Sequence, residues 1–154
     1  MVDINKVLHQ KPLKESQLVN LWLWDKHRES LQWRRVRLGP LPNKEGARLF
    51  LVTLRWADAI FVQGGRVTIV EAKLRPGGGA IGQLLQYRDL FSSTPEFSDF
   101  HHLPIDLILL APIITLDIVE MASKHDIKYE LFTEEDGRRV EAEIRKPVSP
   151  RSVS

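Results

Sequence analysis

With 154 residues the chain has the length of one domain, and 43% hydrophobic with 27% charged residues is the make-up of a globular protein that can bury a core. It has no cysteine, which excludes disulfides and thiolate metal sites. The net charge is only +2, but basic residues crowd between Lys26 and Arg75 and acidic ones between Glu130 and Glu143; this fits a nucleic-acid footprint or a solvated charged face.

The first residues, Met1 to Lys6, lack the apolar core of a signal peptide, and the longest apolar run, Ile105 to Ile114, is broken by Asp106 and Pro112. A soluble, cytoplasmic protein of a bacterium, an archaeon or a virus-infected host is expected. From Pro12 to Glu29 the spacing of Leu13, Leu18, Leu21, Trp22 and Trp24 predicts a helix with Pro12 near its first turn. Leu31 to Leu38 reads as a strand, stopped by Gly39-Pro40-Leu41-Pro42. Arg48 to Val62 is a long β-prone run, Gly64-Gly65 a tight-turn signal, and Arg66 to Leu74 a returning strand. Pro76-Gly77-Gly78-Gly79 breaks the pattern before a helix from Ala80 to Phe91.

Pro95 to His102 reads as loop, and Ile105 to Ala111 as a buried central strand. Thr115 is placed to cap a helix running to His125. Ile127 to Thr133 predicts a strand, and Val140 to Ile144 a short further one. The tail Pro147 to Ser154 has a disordered composition. The expected architecture is a single mixed α/β domain over residues 1–146, in the order α-β-β-β-α-β-α-β, followed by a flexible tail over 147–154.

The chemistry concentrates around the glycine turn. If Gly64-Gly65 form a two-residue hairpin loop, Gln63 faces Arg66, and counting back puts Asp58 opposite Glu71. Facing residues have Cβ atoms roughly 4.5–5.5 Å apart, and strand alternation places Glu71 and Lys73 on one face with Ala72 on the other. Two facing carboxylates repel, so a cation, a shared proton or full hydration must offset them. Mg²⁺ prefers carboxylate oxygens and retains water; a Glu-Lys pair on a solvated hairpin is the alternative. Gln83 and Tyr87 share a helix face, and Gly78 belongs to a glycine run that would let a phosphate approach the helix N-terminus.

Asp58, Glu71-Ala72-Lys73 and Gln83-Leu84-Leu85-Gln86-Tyr87, in this order, resemble the PD-(D/E)XK nuclease superfamily, in particular its RecB-like branch with a Gln-x-x-x-Tyr motif and minimal Holliday-resolvase-like domains. The resemblance spans residues 12 to 133 and implies a restriction-endonuclease-like α-β-β-β-α-β core with an additional C-terminal helix and strand. Ala57 stands where the family name has proline.

The resemblance further implies a Mg²⁺- or Mn²⁺-dependent deoxyribonuclease. Asp58, Glu71, the Ala72 carbonyl and Glu15 would hold the metal. Lys73 would act at the hydrolytic water, and Gln83 and Tyr87 would line the site. Arg34, Arg35, Arg37, Arg55, Arg75 and Gly78 are the candidate nucleic-acid contacts, with DNA favoured over RNA, no membrane partner, and a homodimer or larger assembly open. The rival reading is a non-catalytic DNA-binding or structural component, on the same fold, of a larger and possibly viral assembly.

Overall fold

In a computed structural model that describes residues 11–40 and 55–146, the elements follow in the expected order. They are α1 (Glu15–His27), β1 (Leu31–Leu38), β2 (Arg55–Gln63), β3 (Arg66–Ala72), α2 (Gly78–Phe91), a 3₁₀ turn (Pro95–Phe100), β4 (Ile105–Ala111), α3 (Leu116–Lys124), β5 (Ile127–Leu131) and α4 (Glu134–Arg145). The five strands form one sheet in sequence order. β1, β2 and β3 are antiparallel neighbours, while β3–β4 and β4–β5 are parallel.

The hairpin between β2 and β3 turns at Gly64 and Gly65, with φ of +58° and +73°. Both are left-handed, as a two-residue loop matched to strand twist requires. Each parallel step needs a crossover, and α2 and α3 supply the two. The sheet is covered on both faces. Ile69, Leu107 and Leu109 pack under Ile81, Leu84 and Tyr87 of α2 and Ile118 of α3. On the other face Phe61, Val70, Ile108 and Leu110 meet Leu18, Trp22 and Val140 from α1 and α4. β4 therefore contributes to both cores, which explains its unbroken apolar run.

Two expectations are corrected. Val140 to Ile144 is helical, not a strand: Thr133 Oγ1 accepts from Asp136 N (3.0 Å) and Thr133 N donates to Asp136 Oδ2 (2.9 Å), a capping box that starts α4. Arg138 and Arg139 then pair with Glu134, Glu141 and Glu143 one turn away. The alternation of Val140, Ala142 and Ile144 imitates a strand, yet Val140 and Ile144 are also four apart. Gly137 lies where α4 meets α1 and Leu13, and a Cβ there would push the end of the Leu13 side chain aside. The loop over Pro95 to His102 contains the 3₁₀ turn, packed through Phe97. β2 is described only from Arg55; the remainder of the Arg48–Val62 expectation and the 147–154 tail lie outside the described residues. No helix among the described residues is long and apolar enough to cross a membrane.

Candidate active site

The register of the hairpin is the one expected, with Gln63 on Arg66 and Ala59 on Val70. One step further the ladder opens. Instead of standing across from Glu71, the Asp58 carboxylate reaches into the gap, and its Oδ2 accepts a 2.7 Å bond from Ala72 N. The β1–β2 ladder is interrupted at the same level, between the pairs Arg34–Ala59 and Val36–Ala57. Arg35, facing Asp58 there, has φ of +46°, a conformation that costs a non-glycine residue about 1–2 kcal/mol.

Side-chain alternation breaks at this point. Trp33 and Ile60 pack on the α2 side, and so do Val36 and Ala57, three residues on. An odd step should have sent them to the opposite face. The local rearrangement frees Asp58 from the regular pleat, as strand irregularities beside functional sites do.

Glu71 follows Val67 and Ile69 on the α2 side and is only 5% exposed. Its Oε1 lies 3.4 Å from Lys73 Nζ, while its Oε2 is buried without a hydrogen-bond partner. The neighbouring Tyr87 hydroxyl donates to the Trp56 carbonyl (2.9 Å) and lies close enough to Glu71 to favour its charged form. Burial above all, and then the Asp58 charge, push the Glu71 carboxyl up to about 7, against the opposing pull of Lys73 and Tyr87. Burial also raises Asp58. The Ala72 N–H holds it down in part, Glu15 adds to the rise, and Lys73 and Arg35 oppose it. Tyr87 is raised as well, by burial and by Glu71.

Two clefts open beside this pair. One, of about 500 Å³, is lined by Glu15 and Asn20 of α1 together with Arg34, Arg35, Asp58 and Leu74. The other, of about 490 Å³, is lined by Lys73, Arg75, Gly77, Gly79 and Gln83. Leu74 and Lys73, just past β3, contribute one to each. Glu15 Oε1 accepts from Leu74 N at 3.5 Å, which ties α1 to the end of β3.

The fold thus gathers Glu15, Asp58, Glu71, Ala72, Lys73, Gln83 and Tyr87 at one end of the sheet. Their access differs. Gln83 is half-buried at a cleft wall, whereas Tyr87 is 2% exposed and supports the site from within instead of lining it. Among the described residues no three His, Asp or Glu side chains come close enough to form a metal-binding group by themselves.

Of the basic candidates, Arg34 bonds Asn20 (2.6 Å) and with Arg35 borders the Asp58 cleft. Arg75 borders the Lys73 cleft, and Gly78 begins α2, with the Met121 thioether 3.7 Å from where a Cβ would stand. Arg37 instead pairs with Glu96 and the Gly39 carbonyl, and Arg55 bonds Gln86 (2.9 Å). Sequence reasoning missed Trp56, whose carbonyl anchors Tyr87, and Asn20, which positions Arg34. No residue pattern marks a main-chain carbonyl as an anchor, and Asn20 carried no signal beyond its place on α1.

No family model and no curated protein matches the chain. Among solved structures it is similar to a repair endonuclease from Pyrococcus abyssi, at 17% identity and a TM-score of 0.50, over 82% of this chain and 50% of that one. It is also similar to protein VC1899 from Vibrio cholerae, at 14% identity and a TM-score of 0.48, over 84% of this chain and 30% of that one. The chain spans half the length of the endonuclease and less than a third of the Vibrio protein. The fold is restriction-endonuclease-like.

Proposed function

We propose that the chain is a divalent-metal-dependent nuclease that hydrolyses phosphodiester bonds in DNA. The observation that carries this reading is Glu71, a carboxylate held almost wholly out of water with one oxygen unpartnered, beside Asp58 and Lys73. Two carboxylates at such close quarters, one buried and one half-buried, are offset by a cation or a shared proton, and a bound ion would act where Lys73 leaves Oε2 unpaired. Asp58 and Glu71 are hard oxygen donors, and the orphaned Oε2 fits Mg²⁺ or Mn²⁺, with the Ala72 carbonyl and Glu15 as further oxygens within the site. When bound, such an ion would polarise a phosphate oxygen and lower the pKa of water.

The chain's own groups supply the remainder. Glu71 holds Lys73, whose ammonium is directed by that contact and can hydrogen-bond an attacking water or a phosphate oxygen. Gln83 offers an amide from the wall of the Lys73 cleft, and Arg75 a positive charge. The main-chain N–H groups at the start of α2 favour an anion beside them. Arg34 and Arg35 give the Asp58 cleft a basic rim suited to a nucleic-acid backbone.

The test is cleavage of linear, circular, branched and single-stranded DNA, with RNA alongside, in Mg²⁺, Mn²⁺ or EDTA. Glu71→Ala and Lys73→Ala should each lower metal-dependent cleavage by at least about a hundredfold. Undiminished cleavage by both variants, with the fold intact, would sink the assignment. A second reading, a non-catalytic nucleic-acid-binding component of a larger assembly, is favoured by the lack of a three-carboxylate group among the described residues. DNA binding without cleavage under every metal condition would select it.

A further inference from the structure

Among the described residues β5 is the last strand of the sheet, so one of its edges faces away from β4. In a parallel pair each residue turns its N–H and C=O to the same side, and successive residues alternate. Phe132 N donates to Ala111 O (2.9 Å), while Leu110 O, one residue earlier in β4, accepts from Lys73 N on the other flank (2.9 Å). Phe132, Glu130 and Lys128 therefore turn their main chain inward to β4. Ile127, Tyr129 and Leu131 present theirs at the open edge.

The side chains are equally ordered. Ile127 and Tyr129 pack on the α2–α3 side. Lys128 and Glu130 project on the other face, with Nζ and Oε1 2.9 Å apart. Leu131 is 42% exposed, and the Lys128 side chain 68%.

We propose that β5 pairs antiparallel with β5 of a second copy of this chain, with the two-fold axis passing through Tyr129. Residues whose numbers sum to twice 129 then face each other. Ile127, Tyr129 and Leu131 meet Leu131, Tyr129 and Ile127 of the other copy as hydrogen-bonded pairs, which takes up all the outward N–H and C=O groups. Lys128 meets Glu130 at both non-hydrogen-bonded positions, where facing side chains come closest.

The register is singled out by charge. A slip of two residues keeps the hydrogen-bond pattern but sets Lys128 against Lys128, or Glu130 against Glu130. A slip of one mismatches outward with inward groups. On the apolar side, each Leu131 covers the partner copy's Ile127 position.

The joined sheet has a functional consequence. Because the two copies run antiparallel, the ends of β3 that carry Glu71 point in opposite directions. Each candidate site opens on its own stretch of substrate, and the pair does not form a shared cleft.

The experiment is the mass of the full chain in solution by light scattering at micromolar concentration, with far-UV circular dichroism as the check on folding. The wild-type chain should have twice the 17.7 kDa of one chain. Lys128→Glu would set four carboxylates together and weaken the dimer by about tenfold or more. Leu131→Pro removes an outward N–H and an exposed side chain without touching a bond to β4, and should give a folded monomer. A wild-type mass of one chain would overturn the proposal, with Lys128 then serving as a guard against edge pairing. A dimer that survives both substitutions would place the interface elsewhere and overturn it equally. Neither readout depends on metal or on cleavage.

Discussion

Glu71→Gln isolates the electrostatic character of the site from its catalysis. An ordinary glutamate carboxyl titrates near 4.5, and burial beside Asp58 carries this one to about 7. At about 1.4 kcal/mol for each pH unit, the difference is worth about 3 kcal/mol of folding stability. The sign follows from the direction of the shift. Because the folded-state value is raised, the stability is fully present below pH 4.5, drains away as pH rises through about 7, and is absent above it.

Glutamine cannot ionise, so the variant escapes that loss, although a buried amide without an acceptor costs about 1–3 kcal/mol at every pH. The diagnostic is therefore the slope. Between pH 5 and 8 the wild type should lose about 2–3 kcal/mol relative to the variant in metal-free buffer, measured by urea denaturation at each pH. Added Mg²⁺ should stabilise the wild type more at pH 8 than at pH 5, since an ion competes with the proton for Glu71, and should act weakly on the variant. Parallel stability curves for the two proteins over this range would refute the buried, titrating carboxylate. Equal Mg²⁺ stabilisation of both would place any metal elsewhere.

Tyr87→Phe removes the hydroxyl that holds the Trp56 carbonyl and should cost about 1–2 kcal/mol in urea denaturation. It should also reduce cleavage, because Trp56 lies two residues from Asp58; a stability loss with unchanged cleavage would confine Tyr87 to packing. Gly137→Ala places a methyl against Leu13 and should destabilise the α1–α4 contact by about 1–3 kcal/mol, despite alanine's better helix propensity. A stabilised Gly137→Ala protein would show that α1 yields there freely.

The strands and their order were legible because each carries a local signature. Gly64-Gly65 permits only a tight turn between two β-prone runs, and from that turn the register back to Ala59 and Val70 follows by counting. Ile105–Ala111 is apolar throughout because both of its faces are buried. The C-terminal helix was misread at Val140 to Ile144 since alternation and a four-residue repeat coincide over five residues. The Thr133–Asp136 capping box was the available signal that decides between them.

The site itself was legible in composition but not in shape. Counting along the hairpin brings Asp58 to the level of Glu71, yet it presumes an unbroken ladder, and the ladder breaks at that level. A left-handed Arg35, Ala57 and Val36 on the unexpected face, and an Asp58 carboxylate bonded to Ala72 N are mutually dependent, and no local propensity encodes any of them. Elsewhere in the described fold exceptions are scattered: Asp126 is also left-handed, Arg138 Nε is buried without a partner, and Thr115 precedes α3 without a side-chain capping bond. At this one level several rules fail together: backbone strain at Arg35, an orphaned oxygen on Glu71, and two carboxyls raised by burial. Sequences that otherwise agree with their fold tolerate such a concentration of unfavourable terms where a function requires it. The orphaned oxygen and the raised carboxyls are also features that a bound cation would relieve, by neutralising the carboxylates and taking up the free Oε2 of Glu71.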